Sequence, residues 1–573
     1  MIKEQTRTQQ SSMKSKSNVL LAGLILALAR FGLTYAAEPT FTRITTGPGG
    51  DKDNSYSCSW ADYNGDGYID LFVANGGYRA ARANLLYRNN GNGTFTRMTT
   101  NEVGSIVSDK GGWRGAAWGD YDNDGFLELC VTQSLGKRAL YHRNAEGQFV
   151  RIVSGGALTT EVTFAEGPVW ADFDGDGRLD VLVVSGDYGF ALRGPNLLYH
   201  NAGGGVFDKV TTGPIPKDIP SGDASFGGIW TDFDNDGDPD LVISGGNNNR
   251  MFVYQNEGHG QFQVITQGAL PQDKCYAIQL SPGDYDNDGL IDLFLTDFNG
   301  SCRLFHNEGN GSFTKILFTS GANHPQSGAW GDYDNDGYLD LFVSMGEWST
   351  AKNRLYHNNG DGTFTQVLTG SIVNDAGDWS GAIWGDYDND GFLDLFVSQD
   401  VQSGNALYHN DGNDNHWLMF KLVGTRSNMS AIGAKVRVKA TIGGKSLWQV
   451  REISGGNINQ EDMRPHFGLG DATKVDLVRI EWPSGTVQEF TNLAANQILS
   501  FWEPPVLSAS MQPDGACVLN IRAEPNRGWQ IQASTDLAAW QTIATITNTT
   551  VGFQYTDNAA AGMACQFYRM GSN

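Results

Sequence analysis

Acidic side chains recur in this chain in the pattern D-x-[DN]-x-D-G-x-x-[DE], beginning at Asp62, Asp120, Asp172, Asp232, Asp284, Asp332 and Asp386. Oxygen donors at alternate positions around a glycine turn suit a hard divalent cation, because Ca²⁺ takes six to eight oxygens at about 2.3–2.6 Å. The candidate ligands of the first three loops are Asp62, Asn64, Asp66 and Asp70; Asp120, Asp122, Asp124 and Glu128; and Asp172, Asp174, Asp176 and Asp180. The fourth and fifth loops offer Asp232, Asp234, Asp236 and Asp240, then Asp284, Asp286, Asp288 and Asp292. The last two offer Asp332, Asp334, Asp336 and Asp340, then Asp386, Asp388, Asp390 and Asp394. In the sixth loop the carbonyl of Tyr338 is expected to join them, with Gly337 supplying the turn. A turn alone needs one or two such residues, whereas carboxylates at positions one, three, five and nine repel one another without a cation. About seven Ca²⁺ ions are therefore expected, with Asn64 and Glu128 setting two sites apart in strength. If each site had a dissociation constant near ~10 µM, then ~1 mM Ca²⁺ would stabilise the fold by about 2.7 kcal/mol per site.

The elements that must position these loops are short strands. An apolar run such as Leu71-Phe72-Val73 follows each loop, then a segment like Leu355-Tyr356-His357-Asn358, then a hairpin signal such as Gly91 to Phe95. Four strands per unit, repeated about every 54 residues, predict an all-β chain built as a seven-bladed β-propeller. The seventh unit runs into Asn413-Asp414-Asn415 without its last strand, while Phe41-Thr42-Arg43-Ile44 stands alone before the first loop. That N-terminal strand is expected to complete the seventh blade. Trp60, Trp118, Trp170, Trp230, Trp330 and Trp384 each lie two residues before a loop; their fixed place in the repeat marks them as packing between blades. Pro282 takes that place in blade five.

The loops and Phe-Thr hairpins of residues 40–415 resemble FG-GAP/VCBS repeats, the units of integrin-α-like propellers. The resemblance implies Ca²⁺ loops on one face and ligand-binding loops on the other. Residues 416–503 carry Ser430-Ala431-Ile432-Gly433-Ala434, Gly455-Gly456-Asn457, Arg464-Pro465-His466-Phe467-Gly468 and Glu481-Trp482-Pro483-Ser484-Gly485. They resemble the β-rich ASPIC/UnbV domain of cartilage-acidic-protein-like proteins, with which no defined catalytic role comes. After Pro504-Pro505, residues 506–573 read as a small β-sandwich, similar to the accessory tails of secreted bacterial proteins and suited to surface attachment.

Subtracting 64 acidic from 40 basic residues leaves −24, which repels phosphate backbones and excludes nucleic acid as a partner. Lys14, Lys16, the apolar run Val19 to Ala29 and the small-residue site Thr34-Tyr35-Ala36 read as a signal peptide over residues 1–36. The mature chain is expected to be secreted or displayed at the cell surface, without a transmembrane segment. Cys275 with Cys302, and Cys517 with Cys565, are near enough in sequence to pair; Cys58 and Cys130 read as buried free thiols.

No nucleophile-elbow, zinc-protease or phosphate-loop motif occurs. His142, His200, His306, His357 and His409 repeat beside a tyrosine or phenylalanine, as structural hydrogen-bonding residues would, so no catalytic residue is assigned. The non-repeated Arg79, Lys110, Trp113, Arg114, Glu166, His324, Glu347, Trp348, Asp378 and Trp379 lie in segments expected on the face away from calcium and are the ligand-binding candidates. The function expected is a secreted, calcium-binding scaffold that binds an extracellular protein or glycan. The alternative is a carbohydrate-active lyase or dehydratase in which an acidic residue works with His324 or Lys110.

Overall fold

The computed structural model describes residues 39–77, 81–186, 195–215, 225–245, 249–320, 324–400, 404–561 and 566–572. The expected signal peptide, Arg79 and Cys565 lie outside them. Five four-stranded antiparallel sheets carry the first five acidic loops, and one eight-stranded sheet, in which Asp340–Lys352 pairs with Ala376–Gly385, carries the last two. Their inner strands are Ser55–Ala61, Trp113–Gly119, Pro168–Ala171, Gly228–Thr231, Ala277–Gly283, Pro325–Gly331 and Ala376–Gly385. These strands neighbour one another in cyclic order, and the seventh touches the first, so the sheets close into a ring of blades. The expected closure holds: Phe41–Ile44 pairs antiparallel with Ala406–Asn410 in the register Phe41↔Asn410 to Ile44↔Leu407. Each strand after a loop reads as a continuous apolar run because sheets cover it on both sides; Asp70–Asn75 is buried throughout.

Two repeated contacts join the blades. Trp118, Trp170, Trp230, Trp330 and Trp384 stack on Tyr63, Tyr121, Phe173, Tyr285 and Tyr333 of the preceding blade, with centroids 6.2–6.5 Å apart and planes within 10–16°. The packing role expected of these tryptophans is the one they have. In addition, an asparagine at or near the end of the third strand donates to the main-chain oxygen of the aromatic that follows the first loop aspartate of the preceding blade. Asn89, Asn201, Asn256, Asn307, Asn358 and Asn410 make this bond at 2.6–2.9 Å. Between blades one and two the corresponding residue is Arg143, and the clamp is missing.

Residues 416–503 form a three-stranded sheet of His416–Val423, His466–Gly470 and Ile498–Trp502, and a four-stranded sheet from Lys435–Ile442, Lys445–Glu452, Lys474–Glu481 and Val487–Ala494. Together they are a cap seated on the acidic-loop side of the ring. Its core is continuous with that of blades two and three, since Leu418, Phe420 and Val436 share one apolar cluster with Ala117, Trp170 and Val181. A segment between the cap strands enters the ring axis. Gly455 O accepts from Trp170 N at 3.0 Å and Ile458 O from Ala116 N at 3.2 Å. Asn459 Oδ1 accepts from Cys58 N at 3.1 Å, Asn457 Nδ2 donates to Leu280 O at 2.5 Å, and Gln460 brackets Trp118 through both ends of its amide. Inner strands of blades one to five thus find partners for backbone groups that would otherwise face an empty channel. From Thr40 onward the chain is one compact unit. Its last part is the expected sandwich, two three-stranded sheets around Leu519, Ile521, Trp529 and Ile531.

The pairing of Cys275 with Cys302 that their sequence spacing allowed is not made. Both are free thiols, as are Cys58, Cys130 and Cys517. The reason is placement: Cys275 packs in the cluster holding Met251 and Leu270, and Cys302 in the one holding Phe294 and Trp330.

A Cβ at Gly455 would lie 1.8 Å from Trp170 O, in a contact where neither backbone can move aside. Gly455→Ala should therefore unseat the axial segment and cost at least about 1–3 kcal/mol. Thermal unfolding together with faster proteolysis in the cap would show it; wild-type values in both would refute the interlock.

Candidate metal centres

The loop carboxylates are held by the backbone they fold. In the sixth loop, Asp332 accepts from the N–H groups of Asp336 and Gly337 at 3.0 and 2.9 Å, and Asp336 from Tyr338 N at 2.9 Å. Asp340, at position nine, accepts from Tyr333 N at 3.1 Å and Asn358 N at 2.8 Å. The same bonds from positions five and six to the first aspartate recur in the other loops. A carboxylate is required because one side chain must accept several N–H groups at once, and position four often adopts positive φ, as at Asn335 with 60°.

The five repeated histidines do more than hydrogen-bond an aromatic neighbour. Each places Nδ1 between the third and ninth carboxylates of its loop: His142 at 3.4 Å from both Asp122 and Glu128, His200 at 3.2 Å from both Asp174 and Asp180. His306, His357 and His409 repeat the arrangement at 3.1–3.5 Å. In blade four Gln255 takes over, donating to Asp234 at 2.5 Å. The signal was present in sequence, since each of four of these histidines immediately precedes the asparagine bound to position nine.

Burial, with repulsion from neighbouring carboxylates, pushes Asp120, Asp172 and Asp284 up to about 7, Asp70 to about 8, and Asp240 and Asp292 to about 9. Hydrogen bonds to Asp180 and Asp394 lift His200 and His409 to about 9. Among the described residues Asp70 Oδ2, Asp174 Oδ1, Asp286 Oδ1 and Asp388 Oδ1 are buried with no hydrogen-bond partner. Groups such as Asp122, Asp124 and Glu128 with His142, or Asp388 and Asp390 with His409, bring ligand atoms within 4.8 Å of one another and could hold a metal ion. Orphaned carboxylate oxygens in oxygen-rich sets fit a hard divalent cation.

The cap reaches the same loops. Lys421 pairs with Asp62 at 3.1 Å, and Lys435, almost fully buried, with Asp232 at 2.8 Å. Arg464 donates to Asp386 O and Asn389 Oδ1, His466 lies 3.0 Å from Gly391 O, and Gly468 N donates to Asp332 Oδ2. Arg464, His466 and Gly468 belong to the Arg464-Pro465-His466-Phe467-Gly468 pattern, but nothing in that pattern gave them a place at the loops.

The ligand-binding candidates divide. Trp113 and Trp379 are buried between blades, so they are not exposed stacking platforms; their apolar area is consumed in packing. Arg114 and Glu166 form a fully buried ion pair, with Arg114 also on the Tyr56 hydroxyl at 2.5 Å and 3.8 Å over its ring. Lys110 is exposed on the strand Lys110–Gly111, and Asp378 is half-buried on Ala376–Gly385. Half-buried His324 follows the ring row Phe226, Tyr276, Phe298, its centroid 4.4 Å from that of Phe298. Glu347 and Trp348 lie on the strand Asp340–Lys352. These residues sit at the ends of the inner strands or their loops remote from the acidic turns.

A closed ring of sheets with repeated acidic turns, joined to a β-rich cap, defines a repeat-scaffold class. The FG-GAP-like repeat model matches residues 62–131, 128–183, 232–295, 284–343 and 345–397, and the chain belongs to this family. Residues 424–507 match the ASPIC and UnbV model. Mouse cartilage acidic protein 1 is 24% identical over 520 residues, covering 82% of this chain and 77% of the relative. Human cartilage acidic protein 1 is 25% identical over 323 residues, 54% of this chain and 40% of the relative. Crystal structures of BBS1N in complex with ARL6DN, soaked with mercury or lead, align over 65% of this chain and 97% of theirs at 12% and 11% identity; TM-scores of 0.39 and 0.41 carry no argument.

Without metal, the native loops hold protons that the unfolded chain releases near pH 4 for carboxylates and 6.5 for histidine. The native state therefore binds more protons than the unfolded one, and stability is lost as pH rises. His466, depressed to about 4 by burial, works the other way only below about pH 6.5. In EDTA the melting temperature should fall between about pH 6.5 and 9, and Ca²⁺ should abolish most of that slope. A slope indifferent to Ca²⁺ would show that the loops need no cation.

Proposed function

We propose that the chain is an exported, calcium-loaded scaffold that binds an extracellular protein or glycan on the face away from the acidic loops. The carrying observation is the set of buried carboxylate oxygens without hydrogen-bond partners, repeated around the ring beside histidines. The family membership and the likeness to cartilage acidic protein 1 support a scaffold role. Among the described residues no helix is long and apolar enough to cross a membrane, in keeping with export.

In this reading Asp232, Asp234, Asp236 and Asp240 and their counterparts hold the ion, which supplies the charge that burial of these groups demands. The loop N–H groups and the asparagine clamps hold the carboxylates in place. Lys110, Asp378, His324 and the half-buried rings of Tyr276 and Phe298 offer charge and stacking surface to a ligand. The sandwich is suited to surface attachment. The lyase or dehydratase reading gains no support, because neither Lys110 nor His324 forms an ion pair with a carboxylate among the described residues.

Calorimetric Ca²⁺ titration of the mature chain, followed by glycan and extracellular-protein arrays with Ca²⁺ or EDTA, tests this function. Several bound ions and a Ca²⁺-dependent ligand weakened by Lys110→Ala or His324→Ala are expected. Absence of bound Ca²⁺, or turnover of a polysaccharide in a reducing-sugar assay, would overturn it.

A further inference from the structure

The joint between blades one and two differs from the others. Arg143 stands where the clamp asparagine belongs, and Glu128 replaces the aspartate at position nine of the same blade's loop. A cavity of about 530 Å³ opens there, between the first two acidic loops and the cap strands His416–Val423 and Ile498–Trp502. Its size lies within the range of small-molecule sites. Apolar walls come from Leu127, Leu422, Val423, Met429, Met463 and Ile498.

Charge bookkeeping of the lining singles out one group. Lys421 is paired with Asp62, and Arg464 with Asp462. Asp120 accepts from the N–H groups of Asp124 and Gly125, and Asp66 from Tyr68 N. Among the described residues Arg143 has no such partner: its guanidinium lies 4.7 Å above the Phe126 ring, and its Nε is shielded from solvent without an acceptor. A shielded guanidinium donor without an acceptor is costly, and its planar fork matches a carboxylate in two parallel bonds.

We propose that this cavity binds an amphipathic organic anion, its carboxylate on Arg143 and its apolar body against Leu422, Met463 and Ile498. The cap supplies most of the apolar wall and the ring supplies the cation, so neither part alone makes the site. Because Asp62, Asn64, Asp66 and Asp120 of the first two acidic loops line the cavity, its test is run with Ca²⁺ present; the opposite face plays no part in it.

Titration calorimetry on the mature chain in Ca²⁺ tests it with dodecanoate and 2-naphthoate as chain-type and ring-type probes, and dodecanol as the uncharged analogue. Saturable one-to-one binding of at least one acid is expected, at least about tenfold tighter than dodecanol. Arg143→Asn restores the residue of the other blades and should keep the fold while weakening the acid at least about tenfold. Ile498→Trp fills the cavity and should abolish binding by a second route. Equal affinity for dodecanoate and dodecanol, no saturable binding of either acid, or wild-type affinity in Ile498→Trp would each overturn the proposal.

Discussion

The ring depends on burying carboxylates that its own backbone requires. Asp340 is fully buried because two N–H groups, from Tyr333 and Asn358, have no other acceptor where the strands converge. Asn358 is in turn the residue that reaches Tyr285 O in the preceding blade. A loop, a strand and the neighbouring sheet are thus tied through one charge. The cost is mutual repulsion among acids at close quarters, relieved by protons, by histidine or by a cation. Five blades place an imidazole at that point and blade four an amide, so relief is built into the third strand of six blades.

Much of this was legible in the residues. Periodicity gave the acidic turns, and an orphan Phe-Thr strand matched to a truncated seventh unit gave the closure. Packing of the repeated tryptophans followed from their fixed place. Less legible was anything depending on contacts between distant segments. The axial insertion rests on Gly455, Asn457, Asn459 and Gln460, whose meaning appears only when inner strands of five blades surround them. Trp113 and Trp379 misled because a non-repeated tryptophan near a loop reads as exposed, although each is enclosed between blades. Proximity in sequence likewise suggested a Cys275–Cys302 bridge that two separate apolar clusters forbid.

The cap changes what the ring is. A β-ring with an open axis would leave inner-strand groups such as Ala116 N and Trp170 N without protein partners, and the Ile458 and Gly455 carbonyls supply them. Glycine is required for that approach, since any side chain at Gly455 would collide with Trp170. The shared apolar cluster of blades two and three with the cap makes the two regions one folding problem. Removing the cap would expose both that cluster and the axial hydrogen-bonding groups.

Its seat on the acidic loops also divides the surface by role. Lys435 is almost fully buried against Asp232, and such a pair contributes little net stability but strongly disfavours any arrangement in which one charge loses the other. It fixes the cap's register over blade four, while Arg464 does the same over blade seven through Asp386 O and Asn389. With both ends of the cap pinned, the loop face is committed to internal contacts. Blade two lacks the asparagine clamp on that face, and there the cap and ring enclose a cavity.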